Sequence, residues 1–408
     1  MGLFVQKFGG TSLATIECIE HVADVICKTR DAGHQLAVVV SAMAGETDRL
    51  IGLAKKITSV PNPREYAALI STGEQVSMAL LAMMLNTRGY AARSYTGMQA
   101  KILTDPHHTK AQILHIDETQ IRQDIKDGRI PVIAGFQGYC LQGDITTLGR
   151  GGSDATAVAL AAHLAADECQ IFTDVDGIFT TDPRLVQDAK RLDAISFEEM
   201  LELASLGSKV LQLRAVELAS KYNVPVRVLS TFKEGPGTLI ADLNKSMEKP
   251  IISGVAFSRK EAKVQILGIP DLPHVLHQIV SHLSERKINI GMIVQNRTTL
   301  NKADLILTVH RDDYTEVMQI LTGVASELQA TDLLGDISIA KLSLVGIGIS
   351  SHHSVASTMF KALAENGIYI HLVSMSELKI SVIVDEVHLE PGVKALHEAF
   401  NLNHRPLL

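Results

Sequence analysis

The chain has no tryptophan among its 408 residues, and aromatic side chains make up only 4% of it. That removes the stacking platforms on which single-stranded nucleic acids are held. Its 38 Lys and Arg against 45 Asp and Glu give a formal net charge of −7, with both signs mixed and no basic stripe. A nucleic acid is therefore not an expected partner. Cysteine is scarce: Cys18, Cys27, Cys140 and Cys169 are scattered, with no C-x-x-C pair. This speaks against a disulfide framework and for small core residues in a reducing, cytoplasmic compartment. The longest apolar run, around residues 155–166, is interrupted by His163 and too short to span a bilayer. "MGLFVQKF" lacks the charged and apolar regions of a secretory leader, so no membrane association is expected.

What is present is an ordinary globular composition, 46% hydrophobic and 20% charged, on a chain too long for a single core. Through about residue 240, strand-like and helix-like segments alternate. "LFVQKFGG" reads as a strand and a glycine loop, "LATIECIEHVADVICKTRDAG" as a helix closed by Gly33. "HQLAVVVSAM", "IPVIAGFQGY", "ECQIFTDVDGIF" and "VPVRVLS" are β-branched runs of the buried kind. The alternation predicts an α/β sandwich with a mostly parallel sheet.

Near residue 232 the pattern changes, and residues 241–250 read as a linker rich in Asn, Lys and Pro. Beyond it lies an internal repeat. "AKVQILGI" followed by a helix and "NIGMIVQN" parallels "AKLSLVGIGI" followed by a helix and "IYIHLVSMS". A hairpin strand and a second helix follow in each copy, the βαββαβ ferredoxin-like order. The first copy has a last strand in "GDISIA"; the second ends at its helix and leaves a bare sheet edge. The spare strand "IISGVAFS", 251–258, can fill it. The expected organisation is a first repeat over 262–340 inserted into a second made of 251–261 and 341–408.

Several polar loops fall at the ends of the expected parallel strands, where open α/β sheets place their ligands. In "KFGGTS", Lys7 ends a strand, Gly9 and Gly10 let backbone N–H groups turn inward, and Thr11 and Ser12 open a helix. This suits phosphate oxygens, and an ordinary strand–helix turn with a solvated lysine accounts for it about as well. Ser41 and Thr47 in "SAMAGETD" read equally as ligand groups or helix caps, and Glu74 in "STGEQVS" as an acid expected at a helix start. "TTLGRGGSDATA" sets Arg150, Gly151, Gly152, Ser153 and Asp154 before an alanine-rich helix. "FTDVDGIFTTDPR" is densely polar but lacks the spacing of a calcium loop.

Taken together and in order, these loops, "FEEMLELASLGSKVL" and the paired terminal repeats resemble the monofunctional bacterial aspartate kinases (aspartokinases), from residue 4 to about 400. The resemblance implies an amino-acid-kinase domain over 1–240, two ACT domains, and MgATP-dependent phosphorylation of the β-carboxylate of L-aspartate. It implies Lys7, Lys209 and Asp154 as catalytic groups, with Asp154 the candidate for Mg2+. Arg150 would meet a substrate carboxylate and Glu74 the α-ammonium, with Ser41, Thr47, Gly151, Gly152 and Ser153 completing the pocket. ATP would meet Lys7, Gly9, Gly10, Thr11, Ser12, Thr173, Asp174, Phe179, Thr180, Asp182, Arg184 and Lys209. An effector, lysine and/or threonine, would bind at Asp271, Asn289, Ile290, Gln295 and Asn296, although the turns here carry Pro273-His274 and His353-Ser354 rather than Pro-Gly. Homo-oligomerisation through the ACT domains is also implied.

Overall fold

The computed structural model describes residues 2–206, 210–243, 251–299, 301–349 and 352–404. It divides into two compact units. The first takes in the described residues through Phe179 and again from Arg191 to Leu243; the second takes in Thr180–Lys190 and the described residues from Ile251 onward.

The first unit runs β1 (Leu3–Phe8), α1 (Ile16–Asp31), β2 (Gln35–Val40), α2 (Glu46–Ile57), α3 (Pro63–Ile70), α4 (Thr72–Thr87), β3 (Ala92–Tyr95), β4 (Ile102–Thr104) and β5 (Ile113–Ile116). It continues through α5 (Thr119–Lys126), β6 (Ile130–Ala134), β7 (Gln137–Tyr139), β8 (Ile145–Thr147), α6 (Gly152–Leu164) and β9 (Glu168–Thr173). After the excursion at 180–190 come β10 (Ala194–Ser196), α7 (Phe197–Ser205), α8 (Leu213–Tyr222), β11 (Val226–Ser230) and β12 (Thr238–Ala241).

An eight-stranded sheet in the order β10-β12-β11-β9-β1-β2-β6-β3 forms its centre, and β5-β4-β7-β8 form a smaller sheet. From β11 to β3 all neighbours are parallel. Every residue of β6 is buried, as are five of the six in β2, because helices cover both faces and leave no polar side to show water. Strand alternation sends Phe8 into the core shared with α1 and α4, while its neighbour Lys7 points toward α6. That helix is alanine-rich and buried over nearly its whole length, which lets it lie close on β1, β2 and β9. Local signals set the helix ends: Thr15 accepts the amide of Cys18 at the start of α1, and Ser196 with Glu199 forms a capping box on α7.

The helical run Pro63–Thr87 is long and apolar enough, by composition, to cross a membrane. Half of its most apolar window is buried in the fold, and Leu81 and Leu85 fill the core with α1. It is the core helix that carries Glu74.

The second unit has β13 (Ile251–Pro270), α9 (Pro273–Glu285), β14 (Ile290–Thr299), β15 (Lys302–His310), α10 (Tyr314–Glu327), β16 (Asp332–Ile347), α11 (His353–Glu365), β17 (Leu372–Met375), β18 (Lys379–Asp385) and α12 (Leu389–Ala399). One six-stranded sheet, β14-β15-β13-β16-β18-β17, carries both repeats. The end of β13 pairs with β15 and with Asp332–Asp336 of β16. Its beginning, 251–258, pairs antiparallel with 341–347, which also pair with β18. The strand left spare in the sequence thus lies along the edge left bare. Two separate apolar clusters sit under the two halves, one built on α9 and α10, the other on α11 and α12. Residues 244–250, most of the expected linker, lie outside the described residues.

Candidate active site

Register places the site. Phe8 pairs with Val40 and with Phe172, Val40 with Ala134, and Thr173 with Ser230. The loops that follow these strands therefore leave the sheet side by side from its carboxyl edge. Gly9 N–H donates to the carbonyl of Phe172 at 3.1 Å and Ser41 N–H to that of Phe8 at 3.1 Å, stitching three of the loops together. A Cβ on Gly10 would lie 3.0 Å from the carbonyl oxygen of Ala42, so the glycine permits the first two loops to touch.

Lys7 Nζ lies 2.6 Å from Asp154 Oδ1, with each side chain 10% exposed. No hydrogen-bond donor other than this lysine reaches that oxygen among the described residues. The pair links the end of β1 to the first turn of α6, whose free N–H groups and dipole favour negative charge. Gly151, at the N-cap of α6, has φ of 70°, and a Cβ there would overlap the Gln212 side chain, so glycine is required on two counts.

Glu74 is 3% exposed in the first turn of α4. Its Oε1 accepts the Ala42 amide at 3.2 Å, while Oε2 is buried without a partner among the described residues. Burial pushes its carboxyl up from 4.5 to about 7, against the lowering effect of its backbone hydrogen bonds. Arg150 is exposed on the loop before α6 and has no ion pair or hydrogen bond among the described residues. Ser41 and Thr47 flank Gly45, which has φ of 80° and caps α2. Ser153 is buried, and Gly152 is packed against Leu148 and Phe136, where a Cβ would lie 2.9 Å from each side chain.

On the neighbouring loops, Thr173 ends β9 and donates its hydroxyl to Asp174 at 3.1 Å. Phe179 forms a bridge with Arg191. Lys209 lies outside the described residues. Ser12 is a correction for its side chain: the hydroxyl is fully buried against Thr231 Oγ1 at 2.6 Å and is not open to a ligand. Thr180 is corrected outright, because its fully buried hydroxyl is engaged by Lys190 N and His397 Nε2, both at 3.0 Å. Thr180, Asp182 and Arg184 belong to the segment that packs in the second unit, where Arg184 forks onto Asp182. Cys169 on β9 is fully buried, and burial holds its thiol far above the ordinary range, which rules it out as a nucleophile.

Two supports of this site carry no motif. Arg214 on α8 donates to the carbonyls of Leu148 and Ala111, each at 2.8 Å, and so holds the strand end that leads to Gly149 and Arg150. The only sequence signal is an arginine within the helix "LRAVELASKY". Gly135 faces Ser153, where a Cβ would lie 2.8 Å from the serine Cβ and 3.0 Å from its Cα. Gly135→Ala is expected to cost about 1–3 kcal/mol through backbone displacement of α6. A melting temperature equal to that of the parent would contradict this packing.

In the second unit Asp271 is held by Arg297 Nε at 2.6 Å and by Gln295 Nε2 at 3.3 Å, at the turn before α9. Asn289 and Asn296 are exposed at the two ends of the same edge-strand segment, and Ile290 packs on the core under α9. Arg297, absent from the sequence expectation, already neutralises the one acid of that set.

Residues 2–230 match the amino acid kinase family, and residues 342–400 match an ACT domain. The chain is 59% identical over 404 residues to an aspartate kinase of Stutzerimonas stutzeri, covering 99% of this chain and 98% of that one. Among solved structures, E. coli aspartokinase III in complex with aspartate and ADP is similar, at 26% identity and a TM-score of 0.81, covering 97% of this chain and 99% of that one. The same E. coli enzyme in complex with lysine and aspartate gives a TM-score of 0.76 at 26% identity, covering 98% and 99%. A matching kinase fold with both glycine loops and an ACT domain behind it, at this identity over almost the full length, leaves one assignment: the chain belongs to the aspartokinase family.

Proposed function

We propose that the loops around Lys7, Glu74 and Arg150 bind L-aspartate and MgATP and transfer the γ-phosphoryl group to the β-carboxylate. The product is 4-phospho-L-aspartate, at the head of the route to lysine, threonine and methionine. The observation that carries the reading is Glu74: a buried carboxylate with an unpartnered oxygen is costly unless a cation arrives, and the α-ammonium of an amino acid is such a cation. Arg150, without a partner among the described residues, supplies the complementary fork for a carboxylate, with Ser41, Thr47, Gly151, Gly152 and Ser153 assigned to the same pocket. The ACT domain at residues 342–400 favours this reading over a kinase of glutamate or acetylglutamate.

The nucleophile is a carboxylate already ionised at neutral pH, so the site has no need of a general base. What the transfer requires is positive charge around mutually repelling oxygens. Lys7, the N–H of Gly10 and the first turn of α6 are the groups to provide it, with Lys209 as a further cation; the Gly9 N–H, assigned to phosphate from the sequence, is already given to the Phe172 carbonyl. Thr11, Thr173, Asp174 and Phe179 belong to the loops assigned to the nucleotide. Asp182 and Arg184 are assigned there only by family resemblance. No group of three or more His, Cys, Asp or Glu exists among the described residues to form a protein metal cage. Mg2+ arriving on ATP suits such a site, since it is ordinarily held by phosphate oxygens, water and one or two carboxylates. Asp154 is the residue that would meet it, and the ion would neutralise phosphate charge.

Trapping the acyl phosphate with hydroxylamine tests the assignment. Aspartyl hydroxamate is the expected product when aspartate, glutamate and carbamate are offered in turn; product from glutamate alone would refute it. The Glu74 pKa adds a second expectation. Above about pH 7 the free carboxyl is ionised and receives the ammonium, so KM for aspartate rises severalfold as pH falls from 8 to 6. Glu74→Gln removes that trend. Because the folded pKa is raised, stability of the ligand-free chain is fullest below 4.5 on this account and declines as pH rises through about 7, by up to about 3 kcal/mol.

For regulation, lysine and/or threonine at Asp271, Asn289, Ile290, Gln295 and Asn296 is supported by the lysine complex of the E. coli relative and by the polar turn before α9. Strands β14 and β17 are sheet edges, which supports a homo-oligomer joined through the ACT domains. We assign the kinase domain to 1–240, the linker to 241–250, one ACT domain to 262–340, and a second to 251–261 with 341–408. Scattered free cysteines support a cytoplasmic location.

A further inference from the structure

The chain crosses from the large sheet of the first unit to its small sheet between β6 and β7, and three elements of the site are tied to that crossing. Phe136 sits there with φ of 68°, an uncommon conformation for a bulky side chain. Its N–H donates to Thr156 Oγ1 at 3.2 Å, on the helix whose first turn holds Asp154. Its carbonyl accepts the Leu148 amide at 2.9 Å, two residues before Arg150. The next residue, Gln137, is 2% exposed, and its Nε2 donates to the Ser71 carbonyl at 2.8 Å, three residues before Glu74. Gln137 Oε1 accepts from Gln75 Nε2, on the residue after Glu74, and from the Gly97 amide, both at 3.4 Å.

The backbone of Gln137 pairs with Thr147 at the end of β8, from which the chain runs on to Arg150. Glycines pack closely around it: a Cβ on Gly97 would overlap the Gln137 carbonyl, and one on Gly138 would overlap that of Ile102. The side chain of Gln137 thus holds the helix start that carries Glu74, and its backbone holds the strand that delivers Arg150. We infer that Gln137 is a positioning residue that sets the separation between Glu74 and Arg150, and through it the length of amino acid the pocket accepts. It acts through these two groups rather than by touching substrate. The inference rests on the assignment of Glu74 and Arg150 to L-aspartate. Glutamate exceeds aspartate by one methylene, a difference that sites resolve by about 10–200-fold. A displacement of about 1 Å in one of two anchors is enough to erode such a fit.

The test is steady-state kinetics of the full chain with aspartate, glutamate and MgATP varied separately. Gln137→Met keeps the length of the side chain and deletes its polar end. It is expected to raise KM for aspartate about five- to tenfold and to narrow the kcat/KM preference for aspartate over glutamate about tenfold, with KM for MgATP changed less than about twofold. A preference measured on one preparation does not depend on how much of the protein is folded, so a loss of stability alone leaves it unmoved. Gln137→Asn, whose amide is one methylene short of Ser71, shifts the preference in the same sense and serves where the methionine variant does not fold. An unchanged preference in whichever variant folds, or an equal rise in KM for aspartate and for MgATP, overturns the inference. Arg150→Ala separates the underlying assignment: if it raises KM for aspartate while the Gln137 variants keep the parent preference, only the positioning is wrong. If Arg150→Ala leaves that KM unchanged, the pocket assignment fails and the inference with it.

Discussion

Lys7→Met is expected to lower kcat by about 10²–10³-fold, the scale on which a positioned electrostatic donor contributes to a transition state. The lysine ends β1 on the face covered by α6, at 2.6 Å from Asp154, in surroundings where each side chain is 10% exposed. Water is largely excluded there, so the charge acts at close to its full strength on phosphate oxygens. The substitution also leaves Asp154 buried without its counter-charge, which costs on the order of 3–5 kcal/mol. Stability and catalysis can be separated. Lys7→Met combined with Asp154→Asn removes both charges and is expected to recover most of the melting temperature but none of the rate. A single variant with normal kcat at saturating substrates, or a double variant that regains activity, would show that Lys7 holds the fold and nothing more.

Arg150→Ala carries the second large effect, with the opposite structural profile. Arg150 is exposed and makes no ion pair or hydrogen bond among the described residues, so its removal is expected to leave the melting temperature unchanged. Charge-assisted hydrogen bonds contribute about 1.5–3 kcal/mol each, and a forked pair to a substrate carboxylate places the loss in kcat/KM for aspartate at roughly 100-fold or more. KM for MgATP stays near the parent value. Arg150→Lys recovers only a part, because an ammonium is a point charge and not a planar fork. An unchanged KM for aspartate in the alanine variant would remove Arg150 from the substrate pocket.

Some of this was legible in the sequence for clear physical reasons. Strands such as β2 and β6 are buried on both faces, and their unbroken apolar runs say so. The glycines at 10, 151 and 152 stand where backbone must come close to something. Counting strands in the repeats left one edge bare and one strand over, and the structure lays 251–258 along 341–347. What the sequence hid are contacts between residues far apart in it. Gly135 against Ser153, and Arg214 on the Leu148 carbonyl, have no local signature because each is made by packing of elements brought together late. Thr180 shows the converse failure. It lies one residue past Phe179 in a single polar stretch, yet its hydroxyl is buried with His397, because adjacency along a chain does not keep neighbours on one ligand.

The interleaving of the two repeats also has a timetable. Residues 251–258 leave the ribosome well before 341–347, their antiparallel partner in the sheet, which follow after about eighty more residues. At bacterial rates of roughly 5–20 residues per second, that partner is missing for on the order of ten seconds. Only at the end of this interval does the first repeat, whose own cluster is built from α9, α10 and the strands between them, have all its parts in hand. The waiting strand carries an apolar, unpaired edge of the kind that recruits other chains. Synthesis of this protein therefore holds a built-in vulnerable interval, and a slow stretch of codons after the first repeat would lengthen it at the expense of soluble yield.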